Sequence, residues 1–424
     1  MSIAEFNAKL YSIRKKIGLV ARAVNMTSAG YNGKTKKEGH KMNKIKIAGA
    51  ILLLAAGMAQ AAIWTSATTD WNSTNAWDTG NVPNGYGEWA QINSATHPNL
   101  GGQTITLGQS SGYSLQTTGA GNRIFSNGAL NFSRNLGDAF ANDLHIASTG
   151  TASFQVPINF TRSASDTIAT RIRLHGNASQ VTFVEPITWS NSQLQFYNVS
   201  TTVNRMILVK KTVTGSTPGR NLWASAASAN SRITFQGAIQ ATTNNINFQI
   251  GAGSGRIIFD NATGAVADAS LSGLYLAGNL QVNRDDMIDT DLFLNGTGGY
   301  WNLSGHNNKI TGALTVSGTA DDTWTIDFGN AAGEALWFAD SSGKTWNSSD
   351  TLDLDGFVFG TDELRFGTDA NGLTAAQLGM ITVDGSSVSG LSLDNSGYLI
   401  PEPSTVGLIG LSAVMAFFLR RIRM

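Results

Sequence analysis

Acid–base or metal chemistry in this chain of 424 residues has few side chains to draw on, because the sequence holds five histidines and no cysteine. Disulfides, thiolate metal sites and a thiol nucleophile are thereby excluded. The strongest candidate constellation is Asp285-Asp286 with Gly305-His306 twenty residues later. Paired carboxyls on neighbouring passes of backbone could hydrolyse a glycosidic bond, one protonated as general acid and the other activating water. The plainer alternative is an acidic turn beside a solvated histidine. His97, His145, His175 and His306 are dispersed without ligand spacing, which argues against zinc. Asp353-Leu354-Asp355-Gly356 carries acids at calcium-loop spacing, with Thr351 at position one and Asp362 as the last ligand. Leu352 and Leu354 alternate with those acids, so an exposed strand face accounts for them better. Calcium in the acidic C-terminal half is left open. The glycine-rich stretch 251–255 lacks the lysine and helix of a phosphate loop and reads as a turn. No catalytic residue, metal ligand or cofactor is assigned on these grounds, and the expectation is a non-enzymatic protein.

The elements that must position these groups are strands. Short runs such as Arg171-Ile172-Arg173-Leu174 and Leu314-Thr315-Val316 alternate apolar with polar residues, and period two marks a strand. Away from the chain ends the best helical exception is a single turn at 374–378. The segment Ala152-Ser153-Phe154-Gln155-Val156-Pro157-Ile158 returns as Val181-Thr182-Phe183-Val184-Glu185-Pro186-Ile187. It returns again as Ile233-Thr234-Phe235-Gln236-Gly237-Ala238-Ile239, and more faintly at Ile257-Ile258-Phe259. Phe154, Phe183, Phe235 and Phe259 therefore recur at intervals of 29, 52 and 24 residues. A unit of about 25 residues is the size of one solenoid coil. Such a unit cannot bury its apolar side alone, so coils stack in parallel and place like residues over like. The expected fold is all-β, a right-handed parallel β-solenoid over residues 101–400 with the four phenylalanines in one internal ladder. Scattered aromatics in an antiparallel sandwich are the alternative. Residues 62–100, with Trp64, Trp71, Trp77 and Trp89, are expected to cap the open N-terminal edge. Exposed tryptophans there would instead form a carbohydrate platform.

Both ends of the chain read as targeting segments. Residues 1–41 carry nine basic residues against Glu5 and Glu38, and are expected to be an upstream mis-start or a basic extension. From Met42 a basic start, an apolar run at 47–58 and the small residues Ala59-Gln60-Ala61 make a signal peptide over 42–61, cleaved by signal peptidase after Ala61. At the other end Pro401-Glu402-Pro403 precedes an apolar run at 405–419 and a basic cluster of Arg420, Arg421 and Arg423. The prolines forbid helix before the run, and the run itself could span a membrane as a short helix of about 24 Å. The arginines hold their side cytoplasmic and leave the body outside. Without the ends, residues 62–400 carry 26 acidic against 15 basic side chains, which argues against nucleic acid as a partner. The acid is concentrated in 257–400, with 19 acids against Arg284, Lys309, Lys344 and Arg365.

The order Pro401-Glu402-Pro403-Ser404, apolar run, basic cluster resembles the PEP-CTERM sorting signal of Gram-negative bacteria. The resemblance implies recognition by the membrane protease-transpeptidase exosortase, with export linked to extracellular polysaccharide or biofilm. A plain membrane anchor is the alternative. Thr361-Asp362-Glu363-Leu364-Arg365-Phe366-Gly367, followed by Gly372-Leu373-Thr374 and Gln377-Leu378, resembles the module preceding such signals in proteins with autotransporter-like strand repeats. The turns of 292–318 resemble those repeats too. Asp285-Asp286 and His306 loosely resemble the paired aspartates and histidine of polygalacturonases, but Asn307 stands where that family has glycine. The expected function is that of an exported surface or matrix protein, with extracellular polysaccharide as a further partner. A polysaccharide hydrolase or lyase on the same scaffold, or a carbohydrate-binding adhesin, is the alternative.

Overall fold

The computed structural model describes residues 205–318, 321–329 and 333–401, and between 62 and 199 the strands with their adjoining turns. The expected signal peptide with Ala59 and Ala61, the stretch 1–41, and the tail from Glu402 to Met424 lie outside the described residues. Among the described residues no helix is long and apolar enough to cross a membrane.

The body is a parallel β-solenoid whose coils turn through three faces. The first face is an eleven-stranded parallel sheet running from Ala62–Ile63 to Leu314–Gly318. Each of its strands leads to a strand of the second face and then to one of the third: Thr170–Leu174, Gln180–Phe183 and Ile187–Ser190 make one such coil. The strand Arg123–Arg134 serves the second and third faces at once, bending at Asn127 and Gly128 where φ reaches 57° and 156°. Past Ile239–Ala241 the third face thins to single bridges through Ala267 and Ile288, then resumes as Asn308–Lys309, Ala335–Phe338 and Glu363–Phe366. Parallel pairing of every successive coil follows from the wrap, since each strand's next neighbour is reached only after a full turn.

Period two in the sequence becomes inside and outside in the coil. In Gln180–Phe183 and Thr170–Leu174 alternate residues are buried, and the same alternation runs through most strands. Phe125, Phe154 and Phe183 stand in register, with rings stacked 4.6 Å and 5.2 Å apart. The column continues through Val209 to Phe235 and Phe259. The expected ladder therefore exists, and Val209 fills the coil that the 52-residue interval passes over. Where a large ring leans across a coil its neighbour must be bare: a Cβ on Gly215 would stand 2.4 Å from the buried Trp189 indole. Trp77 is buried in the same core at 3 % exposure, while Trp64, Trp71 and Trp89 lie outside the described residues.

The C-terminal edge is closed by antiparallel structure. A single helical turn, Ala375–Leu378, starts with Thr374 and Gln377 in a capping box, and the Gln377 amide donates to the carbonyls of Ser341 and Lys344. Ile381–Val383 folds back on Ser386–Ser387 through Asp384 and Gly385, both at positive φ, as a two-residue hairpin turn requires. A second hairpin pairs Leu391–Leu393 with Leu399–Pro401. These hairpins replace an open parallel edge that would otherwise recruit another strand.

Candidate functional site

The acid pair and the histidine singled out above do come together. They lie where the second face turns toward the third, on three stacked corners formed by 261–264, 283–287 and 304–307. A shallow depression of about 350 Å³ is lined there by Asn261, Asn283, Arg284, Asp285, Met287 and His306, among others. The corners are built by residues suited to tight turns. Asn261 Oδ1 accepts from the backbone N–H of Thr263, and Asp286, Ser304 and Gly305 take φ of 52°, 53° and 81°.

The carboxylates at these corners, Asp285 lining the depression and Asp286 beside it, hold backbone. Asp285 Oδ1 accepts from the Asn307 N–H at 2.8 Å, and Asp286 Oδ1 from the Lys309 N–H at 2.9 Å. In return Asn308 Oδ1 accepts from the Met287 N–H. His306 Nδ1 is 3.4 Å from Asp285, and Arg284 Nε donates to Asp260 at 2.8 Å. The geometry is that of a staple between coils. The same device recurs at Asp291 with the Ala313 N–H, Asp362 with the Gly333 and Glu334 N–H groups, and Asp384 with the Gly356 N–H. Much of the acid of the C-terminal half has this role.

The calcium-spaced acids do not converge. Asp353 and Asp355 project from the strand Thr351–Asp355 while Leu352 and Leu354 are fully buried, and Asp362 is turned to the backbone N–H of Val358 in its own corner and of Gly333 one coil away. Among the described residues no group of three or more histidine, aspartate or glutamate side chains is placed to hold a metal ion. His145 and His175, thirty residues apart in sequence, are ring neighbours at 5.6 Å because one coil separates them. Burial, then the nearby His175 and Arg173, pull His145 down to about 4, so it is neutral at physiological pH.

The outer columns carry signals that composition alone hid. On the third face Asn131, Asn159, Thr188, Thr214 and Gln240 stand in register, with Thr188 Oγ1 donating to Asn159 Oδ1 at 2.6 Å. On the first face Arg171, Gln195, Trp223, Gln249, Tyr275 and Phe293 form one column. Tyr275 and Phe293 stack at 4.3 Å, and the Trp223 indole leans over Gly251, where a Cβ would meet it at 2.3 Å. Farther along the third face Trp337 lies beneath Lys309 Nζ, 4.3 Å from its centroid, and Arg365 Cζ, at 5.0 Å. Residue spacing could not expose these columns, because the coils differ in length.

Pro401 ends the last capping hairpin, so the tail leaves the body directly from its closed edge. Residues 399–423 match the family model of the PEP-CTERM protein-sorting motif. No curated protein and no solved structure matches the chain. A parallel β-solenoid bearing this motif is an exported protein, processed at the cell envelope of a Gram-negative bacterium. The motif is the recognition signal for exosortase, which is therefore its sorting partner.

Proposed function

We propose that this chain is a non-enzymatic surface or extracellular-matrix protein, released from its sorting tail and retained among exopolysaccharide in a biofilm. The observation that carries this reading is the sorting motif joined directly to a solenoid with ordered ladders of Asn, Thr and Gln on its outside. Flat polar ladders bind water and sugar hydroxyls along their length without a cleft. The column through Trp223, Tyr275 and Phe293 adds aromatic surface beside the polar ladders, with two coils between Trp223 and Tyr275 and one between Tyr275 and Phe293, at about 4.8 Å per coil. In this reading the terminal apolar run holds the chain in the inner membrane until exosortase acts.

Mass spectrometry of intact protein from envelope and culture fractions tests it. The expected species begins at Ala62, ends near Pro401-Glu402-Pro403 and is found outside the inner membrane. A species that still ends at Met424 in the inner membrane would overturn release and leave a tail-anchored β-protein. The second reading, a polysaccharide hydrolase or lyase, is favoured by the depression at Asp285 and His306. It predicts depolymerisation of a polysaccharide by the purified chain, abolished in Asp285→Asn.

A further inference from the structure

The acidic part of the body, 257–400, holds only four lysines or arginines: Arg284, Lys309, Lys344 and Arg365. Two of them are neutralised within the chain, Arg284 by Asp260 at 2.8 Å and Lys344 by Asp291 at 2.9 Å. The other two meet no carboxylate at salt-bridge distance among the described residues, and they stand together. Lys309, Trp337 and Arg365 form one outward column of the third face on three successive coils, and Tyr398 pairs with Arg365 beyond them. Lys309 Nζ lies 4.3 Å and Arg365 Cζ 5.0 Å from the Trp337 centroid, and Arg365 Cζ lies 5.4 Å from that of Tyr398. Cation, ring, cation and ring therefore alternate along the solenoid axis.

The donors of this strip are largely unused by the protein. Lys309 is exposed, and contact with a ring face leaves N–H groups of its ammonium turned to solvent. Arg365 Nε donates to the Ser396 carbonyl at 3.0 Å, which fixes the guanidinium and leaves both Nη groups without a hydrogen-bond partner among the described residues. Two carboxylates touch the strip, and each is engaged. Asp286 Oδ1 accepts from the backbone N–H of Lys309 at 2.9 Å, and Glu363 Oε2 accepts from the Trp337 indole N–H at 3.1 Å. The second bond orients the indole between its two cations.

We propose that this strip binds an acidic polysaccharide, a polyuronate laid along the solenoid axis. Its two cations are two coil steps apart, about 10 Å, so one small carboxylate cannot meet both, whereas linked uronates offer a carboxylate to each. Trp337 and Tyr398, both half-buried, supply ring surface for the apolar side of the sugars. The acidic surroundings repel the same polymer elsewhere, which confines it to the strip. Nucleic acid, more densely charged, is disfavoured by those surroundings. The proposal rests on the reading of the chain as retained among exopolysaccharide, and gives that contact a charge class and an address.

Isothermal titration calorimetry of the purified full chain in nonionic detergent, against alginate, dextran, glucuronate and a DNA duplex, tests the proposal. Alginate is expected to bind with an affinity that salt weakens, and the glucuronate monomer not to bind. Lys309→Gln and Arg365→Gln each weaken alginate binding about fivefold. Lys344→Gln removes the same charge away from the strip and leaves binding unchanged. Thermal midpoints check that each variant folds, and Lys309→Gln, on an exposed side chain, carries the test if Arg365→Gln does not. Indifference to the strip variants, an equal loss in Lys344→Gln, or DNA bound as tightly as alginate would each overturn the site. Dextran bound without alginate would overturn it and leave retention among polysaccharide standing, whereas binding of neither polymer would remove both.

Discussion

Glu334 is 2 % exposed, and its carboxylate, which faces the Gly305 N–H, makes no well-formed hydrogen bond. Burial, together with Asp362 and Asp327 nearby, raises it from the usual 4.5 to about 7, against a smaller opposing pull from the Gly305 N–H. The folded protein therefore holds this proton more tightly than the unfolded chain. Its contribution to stability is full below about pH 4.5 and is lost as pH rises through about 7. Above that the charged form costs up to about 3 kcal/mol. Glu334→Gln is expected to stabilise the protein at about pH 8, leave it nearly unchanged at about pH 4, and flatten the slope between, as read by urea midpoints. Phe183 makes the opposite kind of contribution, stacked on Phe154 and edge-on to Phe196 at 6.3 Å. Phe183→Ala is expected to cost about 3–5 kcal/mol by the same measurement, and Phe183→Leu much less. The recurrence of phenylalanine made that ladder legible in sequence. Val209 hid one coil because a smaller apolar residue serves the same position. Glu334 gave no signal, since its burial depends on which corner folds over it.

At the scale of the element, the corners matter more than the strands. Asp286 combines a positive φ with an acceptor for the Lys309 N–H, so two properties of one short side chain fix the corner. Asp286→Asn keeps both and is expected to leave stability within about 0.5 kcal/mol. Asp286→Ala is expected to cost about 1–2 kcal/mol, for the orphaned N–H and the strained backbone together. A matched pair of denaturation curves decides it. If a catalytic role existed, Asn would remove activity while stability held. Strand alternation was readable throughout, but which acids meet which backbone groups was not. The partner lies 20 to 30 residues away, and coil length varies between 18 and 29 residues, as in Leu274 over Leu292 and Phe154 over Phe183. Asp285 and His306 were found by sequence because they bracket a single short coil.

For the molecule as a whole, each coil touches chiefly the coils before and after it, so stability is close to a sum of nearest-neighbour terms. Removal of residues 402–424 is expected to leave the thermal midpoint of the body unchanged while abolishing delivery, because Pro401 is the last residue of the capping hairpin. Cell fractionation beside calorimetry separates the two effects. Deleting residues 210–235 is a stricter test. Val209 and Phe235 occupy equivalent places, so the cut joins Val209 to Gln236 in register and brings Phe259 over Val209. The shortened protein is expected to fold, with a moderate loss of stability and both ends intact.

The closed C-terminal edge gives that modularity a spatial meaning. Because the hairpins seal one end while every coil adds about 4.8 Å between them and the first strand, the solenoid behaves as a ruler graduated in coils. Inserting or deleting a coil would change the reach of the body by one graduation without altering the tail that delivers it.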